Sequence, residues 1–593
     1  MGRPRGGGKM TRHFEVTDRD GPARIGRLRL DETVETPTTL SGDRIQSVGP
    51  IWAFPSIEEA IEAGSAAASA PSRDPGKVFI GPHVPVPLHT EPPLTVPPIL
   101  TDGPSGVVVH PMAGERPPAS DVYVIGAAGS LRNPRELVAA IVKIRDMTPP
   151  DSALYAPALA TPSNLALLIY LGVDLVDGAR VVVDGLLGRY HLRDGVWPVE
   201  ALKELPCRCP FCRALEEGQD PKLVAEHNQL KLEEELSIVK TMIRNGRLRE
   251  YAERQVRVAP EQTAALRLLD QEHRYIERRT PTTRRSVMCA NTAESLQRVE
   301  VTRFAERVLE RYRAPESDVL LLLPCSARKP YSASRSHRLF AMALGQARRR
   351  LHELILTSPL ALVPRELEEV YPASSYDVPV TGRWDLLERD WLTRCLEAYL
   401  ERNRYGRIVA HIDGELRETV EEHGIDAVYT GGGTDDVALA RLSEAVAEAA
   451  VGARPLEGFL IQRFRALADY HFGRGAAAAL LAGDLRVKGR ELISADRKAL
   501  ASLTPHGTIA LSLEGARRLL PRGGYVVEIG DFVPRGDVLA PGVARADDQI
   551  RPGDEVIVTG EKAFGVGRAK MSGWEMVRST RGIAVELRHV EKV

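Results

Sequence analysis

Cysteine is scarce in this protein of 593 residues: six in all, too few to carry a disulfide framework over such a length. Long hydrophobic runs are missing too. None approaches the ~20 residues that cross a bilayer, and the Gly/Arg-rich start, Met1 to Lys9, has no apolar stretch behind it. No membrane association and no secretion are expected, and the cytoplasm is the default. Aromatic residues are sparse at 5%, so few large anchors are available to the cores. The net charge of -1 gives no global attraction to a polyanion, and a nucleic-acid partner would need a local patch.

The protein does have length, and at ~150 residues per domain it should divide into about four units. Met1 to Lys9 reads as a flexible lead. From Val122 to Val176 short apolar strands alternate with helical stretches (Pro134 to Arg145, Thr161 to Leu171), the rhythm of a parallel barrel or open sheet. After Arg313 a cleaner α/β pattern begins. Its strand candidates are Val319 to Leu323, Leu354 to Thr357, Arg407 to Ile412 and Ala427 to Thr430, with helices at His337 to Leu354 and Leu386 to Tyr405. Short strands spaced by Gly, Pro and Asp turns fill the sequence from Gly524 onward and suggest a small β-barrel.

Three of the six cysteines, Cys207, Cys209 and Cys212, crowd into a C-x-C-x-x-C run, with His227 fifteen positions further on at the head of a helix. Thiolates plus imidazole suit tetrahedral zinc, and four protein ligands close the shell, so a structural Zn2+ is expected. His191 and Glu226 also lie nearby in sequence and compete with His227 for the fourth position. Lys240 to Arg285 holds twelve Lys/Arg against six Asp/Glu, a candidate RNA-facing strip that includes Arg278 and Arg279.

The run Tyr155-Ala156-Pro157-Ala158-Leu159-Ala160-Thr161-Pro162, then Gly172-Val173-Asp174-Leu175-Val176-Asp177, then the cysteine segment resembles the tRNA-guanine transglycosylase family. That resemblance implies a (β/α)8 barrel with a zinc subdomain, Asp177 as the carboxylate that attacks ribose, and association as a homodimer. It also implies a second Asp in a D-S-G-G segment, which this sequence does not contain. The nearest counterpart is Asp102-Gly103-Pro104-Ser105-Gly106, with Pro inside the loop, so the base-exchange machinery reads as degraded.

Near the end, Pro552-Gly553-Asp554-Glu555-Val556 and Gly565-Val566-Gly567-Arg568-Ala569-Lys570 resemble a PUA domain, which implies RNA binding with Arg568 and Lys570 at the phosphates. Ala468 to Gly475 resembles the small domain that precedes PUA in archaeal transglycosylases.

The most informative stretch is Pro324-Cys325-Ser326-Ala327-Arg328-Lys329-Pro330-Tyr331-Ser332-Ala333-Ser334-Arg335-Ser336-His337. It follows an apolar strand directly, which presents its polar groups at the carboxyl edge of a sheet, where α/β proteins bind ligands. Cys325, Ser326, Lys329, Tyr331, Ser334 and His337 are the candidate catalytic residues, with Asp177 as a relic or accessory. This pattern resembles the core motif of the archaeosine synthase family, transglycosylase paralogues of archaea.

The resemblance implies an α/β multidomain enzyme. Its parts would be a flexible start (1–10), a transglycosylase-like barrel with the zinc site (11–295), an α/β catalytic core (296–452), a small α+β domain (453–520) and a PUA β-barrel (521–593). The implied reaction adds a nitrogen donor (lysine, glutamine or ammonia) to the nitrile of 7-cyano-7-deazaguanine in tRNA. A radical SAM partner would complete archaeosine where the donor is lysine. Base exchange by a true transglycosylase and a non-catalytic tRNA-binding scaffold are the alternatives.

Overall fold

The computed structural model describes residues 13–84, 99, 101–218, 220–379 and 383–593. The lead Met1 to Lys9 lies outside the described residues. The protein divides into two compact units. One comprises the residues up to Thr280 with 539–541 and 575–582, and the other comprises 281–538, 542–574 and 583–593.

The first unit opens with an antiparallel ribbon, β1 (Phe14–Asp20), β2 (Ala23–Arg29) and β3 (Thr33–Thr36), and continues into a parallel sheet. The strands of that sheet are β4 (Thr38–Thr39), β5 (Ile45–Ser47), β6 (Val78–Ile80), β7 (Ser105–Val109), β8 (Val122–Ile125), β9 (Ala153–Tyr155) and β10 (Leu175–Val176). Their order is β4-β10-β9-β8-β7-β6-β5. The two end strands are consecutive in sequence, joined only by residues 40–44, so the sheet must curl round as a barrel wall does. Among the described residues it counts seven strands rather than the eight of a complete barrel. Phe14, Leu28, Val122, Val124, Tyr155 and Leu175 fill its core.

Helices α1 (Ile57–Ser69), α2 (Pro134–Met147), α3 (Leu165–Leu171) and α4 (Ala179–Leu186) intervene or follow. A hairpin, β11 (Arg189–Leu192) with β12 (Gly195–Pro198), then leads into α5 (Pro210–Glu217) and the long α6 (Pro221–Arg244). Sequence periodicity runs unbroken from Leu215 to Asn245, but Gly218 and Pro221 split it into two helices. The arginine-rich stretch forms α7 (Leu248–Gln255), α8 (Pro260–Gln271) and α9 (His273–Glu277).

In the second unit β13 (Met288–Cys289) and α10 (Val299–Glu310) precede a five-stranded sheet. Its elements in sequence order are β14 (Val319–Pro324), α11 (Arg335–Leu344), β15 (His352–Thr357), β16 (Ala361–Pro364), β17 (Tyr376–Asp377, paired with β13), α12 (Leu386–Arg402), β18 (Arg407–Ala410), α13 (Gly414–Glu422), β19 (Val428–Tyr429) and α14 (Asp436–Ala449). The order is β16-β15-β14-β18-β19, and only β16 is antiparallel. β14, with five leucine or valine residues in a row, is buried on both faces, as a central parallel strand must be.

The helix expected over His337 to Leu354 stops at Leu344, because Gly345 takes a positive φ of 49° and the following Arg-rich turn delivers the backbone into β15. A four-stranded antiparallel sheet between Leu485 and Leu511 and a six-stranded sheet between Val526 and Lys592 follow. One continuous core runs from Met288 to Val566, so the three C-terminal segments expected from the sequence pack as one body.

The placement of β14 matters most. From it the backbone crosses to β15 on one side, while its other neighbour, β18, starts a crossover in the opposite direction. The loops leaving β14 and β18 therefore diverge and leave a crevice at the carboxyl edge, the usual ligand position in an open α/β sheet. The segment Cys325 to Pro330 occupies that edge.

Candidate active site and metal centre

Two of the candidate residues reach the surface of this crevice with reactive groups. Cys325 is exposed, and Lys329 is half-buried with its Nζ 4.0 Å from the centre of the Tyr376 ring. Burial holds the Lys329 ammonium below the usual lysine range, with Cys325 and Asp377 opposing the shift. Ser326 is partly exposed, and its hydroxyl donates to the Arg328 carbonyl at 3.0 Å, which tightens the turn.

The other three candidates support the loop. Tyr331 is fully buried, and its hydroxyl lies 2.7 Å from that of Tyr376, which lies 2.5 Å from Thr357 Oγ1. Burial pushes both phenols up, so both stay protonated. Ser334 caps α11, accepting from the His337 amide at 3.2 Å.

His337, expected to orient a nitrile, is buried and has both ring nitrogens engaged: Nε2 with the Pro324 carbonyl at 3.0 Å and Nδ1 with Arg365 at 2.8 Å. An arginine can only donate, so Nδ1 accepts and Nε2 carries the proton. Burial, and then the Arg365 charge, push the imidazole down to about 3, which leaves it neutral.

Sequence reasoning matched the segments holding Arg365 and Tyr376 to the same domain but gave neither residue a role at the site. Arg365 is buried and forked: Nε donates to Glu353 at 2.7 Å, one terminal nitrogen to Glu368 at 2.9 Å and the other to His337. Glu368 in turn accepts the Ser332 amide at 2.9 Å. One guanidinium thus fixes the loop on both sides of Cys325 and Lys329, through Pro324 and through Ser332. Tyr376 comes from a strand some fifty residues downstream of Cys325, and nothing local in the sequence ties it to Lys329.

In the first unit, Cys207, Cys209, Cys212 and His227 bring one ligand atom each to within 4.8 Å of one another. His227 Nδ1 faces the sulfurs, 3.2 Å from Cys212 and 3.5 Å from Cys209, while its Nε2 donates to the His191 carbonyl at 2.9 Å. The competing ligands fall away. His191 pairs with Asp184 at 3.0 Å, and Glu226 is exposed on α6. Tyr190 stacks on the His227 ring at 4.0 Å. Three sulfurs and one correctly oriented imidazole fit a closed tetrahedral site.

Asp177 follows β10 at its carboxyl end, but its carboxylate is already engaged by Tyr155 Oη at 2.7 Å and by the amides of Ala158 and Ala179. Asp102 precedes β7 and so lies at the opposite edge of the same parallel sheet. The two carboxylates are not brought together for base exchange.

Two of the four RNA candidates need correction. Arg278 and Arg279 are buried against Asp146, Arg279 at 2.9 Å, so they brace α9 rather than face solvent. Arg249, in the same strip, is buried between Glu253 and Asp270. Arg568 bonds to Gly553 and to Thr283, and exposed Lys570 pairs with Glu586 at 2.8 Å. No helix among the described residues is long and apolar enough to cross a membrane.

Comparison with known families matches residues 113–261 to queuine tRNA-ribosyltransferase, 462–522 to the patch-forming domain C2 of tRNA-guanine transglycosylase, and 528–590 to the PUA domain. Residues 301–446, which contain the Cys325 loop, match a domain of unknown function (DUF5591). These define the protein as a multidomain relative of the tRNA transglycosylases.

The archaeosine synthase subunit alpha of Methanosarcina acetivorans is 42% identical over 98% of this sequence and 100% of its own length. The archaeosine synthase of Haloferax volcanii is 39% identical over the same shares. The tRNA-guanine(15) transglycosylase of Methanobrevibacter smithii is 26% identical over 79% of this sequence and 72% of its own. The protein belongs to the archaeosine synthase family.

Proposed function

We propose that this enzyme of archaeosine formation adds an amine donor to the nitrile of 7-cyano-7-deazaguanine at position fifteen of tRNA. The single observation that carries the reading is the pairing of exposed Cys325 with half-buried, pKa-lowered Lys329 at the carboxyl edge of β14. A nitrile is a modest electrophile and needs an uncharged nucleophile plus a proton for the nitrogen that becomes the imine. A neutral amine attacks the nitrile carbon, one C–N bond forms, one π bond opens, and the proton shed by the amine ends on the former nitrile nitrogen, giving an amidine.

Lys329 relays that proton, since desolvation raises its neutral fraction. In a covalent variant of the same reaction the Cys325 thiolate adds first and the amine displaces it from the thioimidate. Lysine or ammonia would serve as donor directly, and glutamine only after water hydrolyses its amide to ammonia and glutamate. With lysine, the bond between the donor's Nζ and its Cε must be cleaved by a separate enzyme, which fits a radical SAM partner.

The Cys3His cluster is assigned to structural zinc, which would tie the loop of Cys207 and Cys209, α5 and α6 together. Homodimerisation through this region is supported by the exposed apolar residues Val183, Leu186 and Leu187 on and just after α4, beside a groove of about 420 Å³ lined by Leu186, Phe211 and Leu230. The base-exchange alternative is disfavoured by the engaged carboxylate of Asp177 and by the separation of Asp102 from it.

Purified protein incubated with tRNA carrying the cyano base and each donor in turn, followed by nucleoside mass spectrometry, tests the reading. An amidine mass with one donor is expected. Unchanged cyano base with every donor, or guanine exchange in its place, overturns it. Full activity in Cys325→Ala would remove the covalent route alone.

A further inference from the structure

The cations flanking the Cys325 loop are not neutralised by the protein. Arg328 in the loop and Arg335 and Arg338 on α11 are all exposed, and among the described residues none of the three forms an ion pair. α11 has two faces. His337, Phe340 and Leu344 point into the core, and Arg335, Arg338 and Met342 point outward. Arg338 also donates from Nε to the Ser334 carbonyl at 3.3 Å, which steadies its stem against the loop.

The position of two of these arginines opposes local stability. Arg335 and Arg338 sit in the first turn of α11, at the positive end of the helix dipole. The surrounding helices follow the opposite rule: Glu300 opens α10, Glu388 α12, Glu415 α13 and Asp436 α14. Cations clustered there repel one another until an external anion arrives. Guanidinium groups meet phosphates in a bidentate manner and do not lose their charge at neutral pH.

We infer that Arg328, Arg335 and Arg338 form a phosphate-contact strip that holds the RNA backbone beside the reactive loop. The inference rests on the reading of this protein as an enzyme acting on tRNA. Such contacts fix register and orientation without reading bases, which leaves the choice of nucleotide to the crevice itself.

The test measures binding of full-length protein to unmodified tRNA transcript between about 50 and 400 mM salt. For Arg335→Gln/Arg338→Gln, the slope of log affinity against log salt should flatten by about 1.5, with affinity at about 50 mM reduced about tenfold. Arg394→Gln, which removes an exposed arginine paired with Asp390 at 3.0 Å, should leave the slope unchanged. Melting curves for the double variant should overlay the wild type or lie slightly above it, since neither side chain is buried and both oppose the helix dipole.

A double-variant slope within about 0.3 of wild type overturns the strip, as does a wild type that does not bind the transcript. The transcript carries no nitrile, so this assay does not depend on the chemistry. A flattened slope with no amidine from any donor would sink the proposed reaction and leave the strip standing. Amidine formation with an unchanged slope would sink the strip alone.

Discussion

Arg365 donates to His337 Nδ1 at 2.8 Å, and that bond forces the imidazole to offer its other nitrogen to the Pro324 carbonyl, one residue before Cys325. A buried pair of this kind positions the loop without touching substrate. Arg365→Lys keeps the charge but cannot reach Glu353, Glu368 and His337 together. Its kcat for amidine formation should fall at least tenfold with KM within about threefold, as expected when orientation is lost and binding is not. Arg365→Met leaves buried Glu368 without a cation and Glu353 with Arg348 alone, and should cost about 3–5 kcal/mol of stability, read by denaturant unfolding.

The same ring makes the second unit sensitive to acid. His337 is pushed down to about 3 from an ordinary value near 6.5, so between those limits the unfolded protein binds a proton that the native ring refuses. Stability therefore falls as pH drops through that window, by up to ~1.4 kcal/mol per pH unit from this one group. Glu353, held down to about 2 by Arg365 and Arg348, adds a further loss below ~4.5. His337→Asn, which can still accept from Arg365 and donate to Pro324, should shallow the loss between about pH 6.5 and 4.5 by up to one proton's worth.

Lys329 carries the proton relay in the proposed reaction. Lys329→Met should reduce amidine formation more than about a hundredfold while tRNA affinity changes little. Its depressed pKa places the rising limb of the kcat profile below the pH at which an ordinary lysine titrates, ~10.4. Tyr376→Leu removes the ring beneath the ammonium, weakens the cationic form and should move that limb to lower pH. An unmoved limb would remove Lys329 from the proton path.

Asp177 separates the two enzymatic readings. Because its carboxylate accepts from Tyr155, Ala158 and Ala179, Asp177→Asn should loosen the β9 and β10 loops and leave amidine formation within about threefold of wild type. A base-exchange enzyme would lose its nucleophile, so abolition of labelled guanine incorporation by this variant would favour the alternative.

Metal analysis of the purified protein should find one zinc per protomer. Cys209→Ser should lose it and lower the melting midpoint of the first unit by roughly 10 °C, because ligand convergence at Cys207, Cys209, Cys212 and His227 is coupled to folding.

The sequence alone determined the features written in local spacing. The C-x-C-x-x-C run marked the Cys3His cluster, the run of leucines marked β14 as a buried strand, and the polar stretch after it marked the carboxyl edge where Cys325 and Lys329 stand. These survive because a strand's burial and a chelating loop depend on residues within a few positions of each other.

Tertiary structure decided the rest. It chose His227 over His191 and Glu226, turned His337 and Ser334 into supports, and buried Arg278 and Arg279 against Asp146. It also brought Tyr376 and Arg365 to the loop from later strands and turns. A residue's role depends on whether its polar atoms are met by the protein or left to solvent, and that is fixed by residues tens or hundreds of positions away.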